Sequence, residues 1–168
     1  MTIRLTVFDF DGTLFASPMR PDWWPWTGFW GRPESLSPPY VPEVPGAEWW
    51  ASDVVEAARQ HGQVQGTFSV MMTGRPVKLR DRIDTLLASQ KLRFDRRIYA
   101  GDGATTLESK LNHFTQLVRE TRATEVEVWE DRFEHTSPFE THLWSLGVTP
   151  TIHLVERVTR PFAYDPTT

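Results

Sequence analysis

The sequence contains no cysteine, which excludes disulfides, thiolate metal sites and cysteine nucleophiles and leaves the redox compartment open. It has no apolar run approaching the roughly 20 residues of a membrane-spanning helix. Met1 to Asp11 is strand-like and acidic, unlike a basic stretch followed by an apolar one and a cleavage site. These absences lead us to expect a soluble, cytoplasmic protein with no membrane partner. Nor does one sign of charge dominate. A net charge of −4, from 18 basic and 22 acidic residues, gives no general basic footprint for nucleic-acid phosphates, so any such contact must be local.

What the 168 residues do hold is 39% hydrophobic and 24% charged, enough apolar material for the core of one ordinary domain. Ile3 to Phe10 is short, branched and aromatic and ends in Asp-Gly, as a buried strand before a tight loop would. Residues 17–46 then lose all periodicity. Eight of the thirteen prolines fall there, with Trp23, Trp24, Trp26 and Trp30. Disordered segments are poor in aromatics, so an ordered but irregular insertion is expected, its tryptophans either packing it onto the domain or stacking on nucleic-acid bases.

Regular patterns resume near Ala47. A helix with Val54, Val55, Ala57 and Ala58 on one face precedes an apolar strand, Gly66 to Met72. Thr73-Gly74-Arg75-Pro76 is expected to turn directly into a helix, with Pro76 in its first turn and Leu79, Ile83, Leu86 and Leu87 on its buried face. A strand from Phe94 to Ala100, a helix carrying Leu107, Leu111, Phe114, Leu117 and Val118, and a strand from Glu125 to Trp129 follow. A helix marked by Phe139, Leu143 and Leu146 and a strand from Thr151 to Val158 complete the series. Such alternation predicts an α/β fold, a mostly parallel Rossmann-like sheet with helices on both faces. Ligands of such sheets bind beyond the carboxyl ends of the strands. The polar residues at those ends are Asp9 and Asp11, Thr73, and Glu130 with Asp131.

Asp9-Phe10-Asp11-Gly12 places two carboxylates one residue apart, where Gly12 lets the chain turn. One can attack in line at phosphorus while the other handles the leaving-group proton. An ordinary Asp-Gly turn has the same spelling. Thr73 alone reads equally as a helix cap, Lys110 as a solvated lysine and Glu130-Asp131-Arg132 as a surface loop. Asp102, between Gly101 and Gly103, is read as a turn residue.

Asp9-Phe10-Asp11-Gly12-Thr13 after an apolar strand resembles the first motif of the haloacid dehalogenase (HAD) superfamily, and the other motifs follow in order. The resemblance implies that the Thr73 hydroxyl binds the transferring phosphoryl group, that Lys110 is the basic third motif, and that Glu130-Asp131 is the acidic fourth. It implies a phosphatase rather than a dehalogenase, with Asp9 as nucleophile and Asp11 as acid/base. A phosphate dianion repels a carboxylate, so a Mg²⁺ cofactor is expected on Asp9, the Asp11 carbonyl and Asp131, with Glu130 behind it. Amides of Gly74 and its neighbours, at a helix N-terminus, are expected to hold phosphoryl oxygens.

Further likeness is to the Swiss Army Knife RNA repair-like HAD phosphatases. It lies in Phe8 to Phe15 with Ser17-Pro18, Trp49-Trp50, Thr73-Gly74-Arg75, Thr105 to Glu108, and Glu130 to Arg132 with His135 and Phe139. The implied substrate is a phosphorylated RNA or DNA end, with Gly12, Thr13 and Gly74 as candidate substrate-binding residues and Arg75, Arg132 and His135 as candidates either to touch the substrate or to support the residues that do. The stretch Arg75 to Arg97, with eight basic and three acidic residues, is either a local basic face for that end or a solvated helix face. The insertion is too short for a cap of ordinary domain size, so an open site is expected, for a large substrate or a protein partner that completes it. A small-molecule or nucleotide phosphatase and a non-catalytic HAD-fold binding module are the alternatives.

Overall fold

A computed structural model describes residues 2–101 and 104–161 of the chain. Asp102 therefore lies outside the described residues. One sheet has the order β3-β2-β1-β4-β5, and every pairing in it is parallel. Its strands are β1 (Arg4–Phe8), β2 (Thr67–Pro76), β3 (Arg96–Ala100), β4 (Glu125–Glu130) and β5 (Thr149–Leu154). The helices are α1 (Ser52–His61), α2 (Arg80–Ser89), α3 (Thr106–Thr121) and α4 (Phe133–Ser145). The α/β class and parallel sheet expected from the alternation are what is found.

Strand side chains alternate between faces, and the core divides accordingly. Leu5, Val7, Val70, Met72, Val126 and Val128 pack with Phe114 and Leu117 of α3 and Phe139 and Leu143 of α4. Phe8, Met71 and Trp129 pack on the opposite face with Val54 and Val55 of α1 and Ile83, Leu86 and Leu87 of α2. Burial on both faces is why these strands read as continuous apolar runs. The chain winds from β1 out to β3 and returns to lay β4 on the other side of β1. The switch point thus falls between the carboxyl ends of β1 and β4, where the polar residues cluster.

Three elements differ from expectation. β2 runs on through Thr73 to Pro76 and regains pairing at Pro76 with Ala100 after a register shift. Helical geometry is sterically disfavoured for the residue before a proline; Arg75 stays extended, and Pro76 precedes a short 3-10 turn, Val77–Leu79, instead of lying within a helix. α4 begins at Phe133 and passes through Pro138, six residues before the Phe139 that marks it in the sequence. β5 starts at Thr149 and ends at Leu154, and residues 155–161 form an irregular strap.

Residues 17–46 hold two short 3-10 helices, Phe29–Gly31 and Pro33–Leu36, and no strand or α-helix. Trp24, Phe29, Leu36 and Val41 are buried, whereas Trp26 and Trp30 each keep 39% of their surface exposed. The tryptophans are thus divided between packing and solvent.

Candidate active site

The loop after β1 is wound tightly by one acceptor. The amides of Thr13, Leu14 and Phe15 all donate to the Phe10 carbonyl, at 3.4, 3.1 and 3.0 Å. Gly12 has φ +75°, and its N–H donates to the Phe15 carbonyl at 2.8 Å. A Cβ there would meet Asp131 Oδ2 at 2.7 Å, so glycine is required both by conformation and by the approach of β4's end. The winding brings Asp9, Thr13 and Asp131 together. The Thr13 hydroxyl lies 3.0 Å from Asp9 Oδ2 and 3.1 Å from Asp131 Oδ1.

Lys110 rises from the second turn of α3, a helix started by a full capping box of Thr105 and Glu108. Its Nζ donates to Asp9 Oδ1 and to Glu130 Oε2, both at 2.8 Å. Glu130 is fully buried, and its Oε1 accepts the amides of Asp131 and Arg132 at 3.1 and 3.2 Å. Burial pushes Asp9 well above its ordinary 3.8, and the charge of Glu130 adds to it against the pull of Lys110. Burial would raise Glu130 as well, but Lys110 outweighs it and holds that carboxyl below its ordinary 4.5. The same two carboxylates overcome the burial of Lys110 and keep it above its ordinary 10.5. Asp131 is raised by burial. One ammonium therefore serves two carboxylates and favours Glu130.

That arrangement fits a divalent cation. Oxygens of Asp9, Glu130 and Asp131 lie within 4.8 Å of one another. The Thr13 hydroxyl carries one proton for two facing carboxylate oxygens, so Asp9 Oδ2 and Asp131 Oδ1 call for a positive charge between them. The donors are all hard oxygens, as Mg²⁺ prefers. Glu130 is already committed to Lys110 and two amides, which makes it the support of the cluster.

Asp11 is held separately. Arg75 Nε lies 3.1 and 3.0 Å from its two oxygens, Nη2 donates to Oδ1 at 2.8 Å, and the Ser17 hydroxyl donates to Oδ1 at 2.6 Å. Arg75 is only 1% exposed. Its Nη1 reaches the insertion, donating to the Ser35 hydroxyl at 2.5 Å and the Trp30 carbonyl at 3.0 Å, and its guanidinium lies 4.8 Å from the Trp30 ring centre. Asp11 is oriented by two segments far apart in sequence.

A cavity of about 320 Å³ opens over these groups, lined by Asp9, Asp11, Gly12, Gly74, Arg75, Lys110, Asp131 and Arg132 among the residues singled out in the sequence. Thr73 and Thr13 do not line it. The Thr73 hydroxyl accepts the Arg75 amide at 3.1 Å. Gly74 is in β2, so the expected helix N-terminus at that point is absent. A Cβ on Gly74 would meet Thr106 Cγ2 at 2.6 Å, and this close approach lets β2's end abut the start of α3. His135 is buried, with Nδ1 3.5 Å from Glu130 Oε2 and making no hydrogen bond. Arg132 is half-buried, and its Nε pairs with Glu134.

Sequence reasoning did not place Met19, Trp30, Thr106, Glu134, Arg157 or Val158 at the cavity, all of which line it. Thr106 was findable, one turn before Lys110 on a capped helix. The others lie in irregular segments or outside any motif, where no period marks direction.

Residues 25–162 match the family model described as HAD domain family 1 in Swiss Army Knife RNA repair proteins. The match begins after Asp9 and Asp11, so their place in the site rests on the geometry above. A search of curated proteins finds no match. Among solved structures, the chain is similar to one titled as the Pnkp1/Rnl/Hen1 complex, at 16% identity and a TM-score of 0.59, covering 92% of this chain and 47% of that one. The chain thus spans about half the length of that relative. It is similar also to the HAD domain of effector protein Lem4 from Legionella pneumophila, at 11% identity and a TM-score of 0.58, covering 94% of this chain and 88% of that one. At such identities the likeness is one of fold. The family match, over most of the sequence, goes further: the chain belongs to HAD domain family 1 of the Swiss Army Knife RNA repair proteins.

Proposed function

We propose that the chain is a Mg²⁺-dependent phosphatase that acts on phosphorylated RNA ends through an aspartyl phosphate. The observation that carries the chemistry is the pair of carboxylates, Asp9 and Asp131, sharing one hydroxyl proton beside Lys110. Asp9, Asp131 and the Asp11 carbonyl would hold Mg²⁺, whose charge offsets the repulsion between Asp9 and a phosphate dianion. An Asp9 carboxylate oxygen attacks phosphorus in line, the bond to the leaving oxygen breaks, and Asp11 protonates that oxygen. Water then attacks the same phosphorus and gives its proton to Asp11, and inorganic phosphate departs as Asp9 is regenerated. Lys110 supplies fixed positive charge next to the nucleophile. Arg75 and Ser17 keep Asp11 aimed. The Thr73 hydroxyl, buried outside the cavity lining and accepting the Arg75 amide, holds the strand end that carries Arg75.

The RNA assignment is supported by the family and by a cavity left open between the insertion and the strap. A neighbour solved as an RNA repair complex suggests a protein partner that completes this open side. The cavity also has the volume of an ordinary small-ligand pocket, with Trp30 in its wall, which favours a nucleotide phosphatase as second reading. One assay separates them: phosphate release, with Mg²⁺ and with EDTA, from 3′- and 5′-phosphorylated RNA, a mononucleotide and p-nitrophenyl phosphate. Magnesium-dependent release fastest from an RNA end is expected, and abolished by Asp9→Asn. Preference for the mononucleotide would discard the RNA substrate. Activity of Asp9→Asn at the wild-type level would refute the nucleophile.

A further inference from the structure

The strap is irregular yet anchored on both sides of one arginine. The Val155 amide donates to the Glu130 carbonyl and the Val158 amide to the Gly12 carbonyl, both at 2.9 Å. The Thr159 hydroxyl donates to the Ser17 carbonyl at 3.0 Å, and the Arg160 guanidinium lies 5.3 Å from the Trp49 ring centre. Between these anchors Arg157 enters the cavity. Its Nε donates to Asp131 Oδ2, and its Nη1 lies 3.9 Å from the sulfur of Met19.

The cations around the cavity differ in what they have left to give. Lys110 is divided between Asp9 and Glu130, and Arg75 is spent on Asp11, Ser35 and the Trp30 carbonyl. Arg132, also on the cavity wall and with its side chain 40% exposed, has its Nε on Glu134, away from the carboxylate cluster, whereas Arg157 is fixed on Asp131 itself. Arg157 has five N–H donors. Among the described residues its hydrogen-bonding contacts are Asp131 and the weak Met19 sulfur alone. Its side chain is 41% exposed, so its Nη edge is open to a ligand while its Nε edge fixes its position.

We propose that Arg157 is a substrate-binding residue that grips the phosphodiester next to the terminal phosphate. The proposal rests on the phosphatase reading and narrows its substrate to a polymer end. The terminal phosphoryl group must lie against Asp9, and Arg157 lies on the outer side of Asp131, where the next anionic group of a strand would pass. A guanidinium fork matches phosphate geometry. Trp30, in the same cavity and partly exposed, provides an aromatic face, the combination used by single-strand binders.

The test is binding to the Asp9→Asn protein in Mg²⁺, comparing a nucleoside 3′-monophosphate with a 3′-phosphorylated trinucleotide over a range of salt. Arg157→Ala should cost the trinucleotide about tenfold more affinity than the mononucleotide. It should also reduce the slope of log affinity against log salt by about 0.7, the loss of one single-strand phosphate contact. Arg157→Lys, which keeps the charge but not the fork, should restore the slope and part of the affinity. Equal losses on both ligands with an unchanged slope would overturn the proposal and leave Arg157 as a support for Asp131. Wild-type turnover of p-nitrophenyl phosphate tests the phosphatase reading separately, since the binding arms decide Arg157 without any turnover.

Discussion

Arg75 joins two parts of the molecule that the sequence keeps apart. A buried guanidinium whose donors reach Asp11, Ser35 and the Trp30 carbonyl cannot be replaced by an ammonium, which has neither the reach nor the planar fork. Arg75→Lys should therefore lower kcat for p-nitrophenyl phosphate at least about tenfold by freeing Asp11. It should also cost about 3 kcal/mol of stability in denaturant titration, as for other broken buried pairs. Wild-type kcat in this variant would remove Asp11 orientation from its role. The resemblance around Thr73-Gly74 made Arg75 a candidate either to touch the substrate or to support a residue that does. That it grips Asp11 through a network reaching the insertion was not legible, because Ser35 and Trp30 lie 40 and 45 residues away in a segment without period. The carboxylates were legible, because Asp9, Gly12 and Asp131 are fixed by strand ends and by a turn whose chemistry is local.

At the scale of elements, the insertion is held by a helix. Arg82 of α2 donates to the carbonyls of Leu36, Pro42 and Glu43 at 2.8, 2.9 and 2.9 Å, ordering backbone that has no ladder of its own. Arg82→Ala should cost about 1–3 kcal/mol and speed proteolytic cleavage within residues 37–45. Cleavage at the wild-type rate would show that the buried apolar residues hold the segment alone. Three of the basic residues between Arg75 and Arg97 are already engaged within the molecule. Arg82 is turned to the insertion, Arg96 pairs with Glu120 and Arg97 with Asp84. Strands and helices were legible wherever apolar periods ran unbroken. Pro76 and Pro138 blurred the boundaries, one prolonging a strand and the other lying inside a helix.

For the whole molecule, the site is a region of stored repulsion. Asp9 and Asp131 are raised, so each resists ionisation in the folded state, and each lowers stability as pH rises above its ordinary 3.8. Glu130 acts in the opposite sense, its contribution being present above 4.5 and lost as pH falls. Asp9→Asn in EDTA at pH 7 should accordingly be more stable than wild type. The advantage should vanish below pH 3.8, where wild-type Asp9 is protonated. Mg²⁺, binding the native state, should raise the wild-type Tm and leave that of Asp9→Asn much less changed. Thermal melts over pH with and without metal check both statements, and a less stable Asp9→Asn in EDTA would contradict the first.

The Val158 amide, bonded to the Gly12 carbonyl, joins the strap to the loop that carries the nucleophile. Its proton can exchange with solvent only when the strap lifts, so deuterium uptake at this single position times the opening of the cavity mouth. A ligand gripped by the outer edge of Arg157 would leave that clock running at its resting rate, whereas one that threads beneath residues 155–161 would advance it.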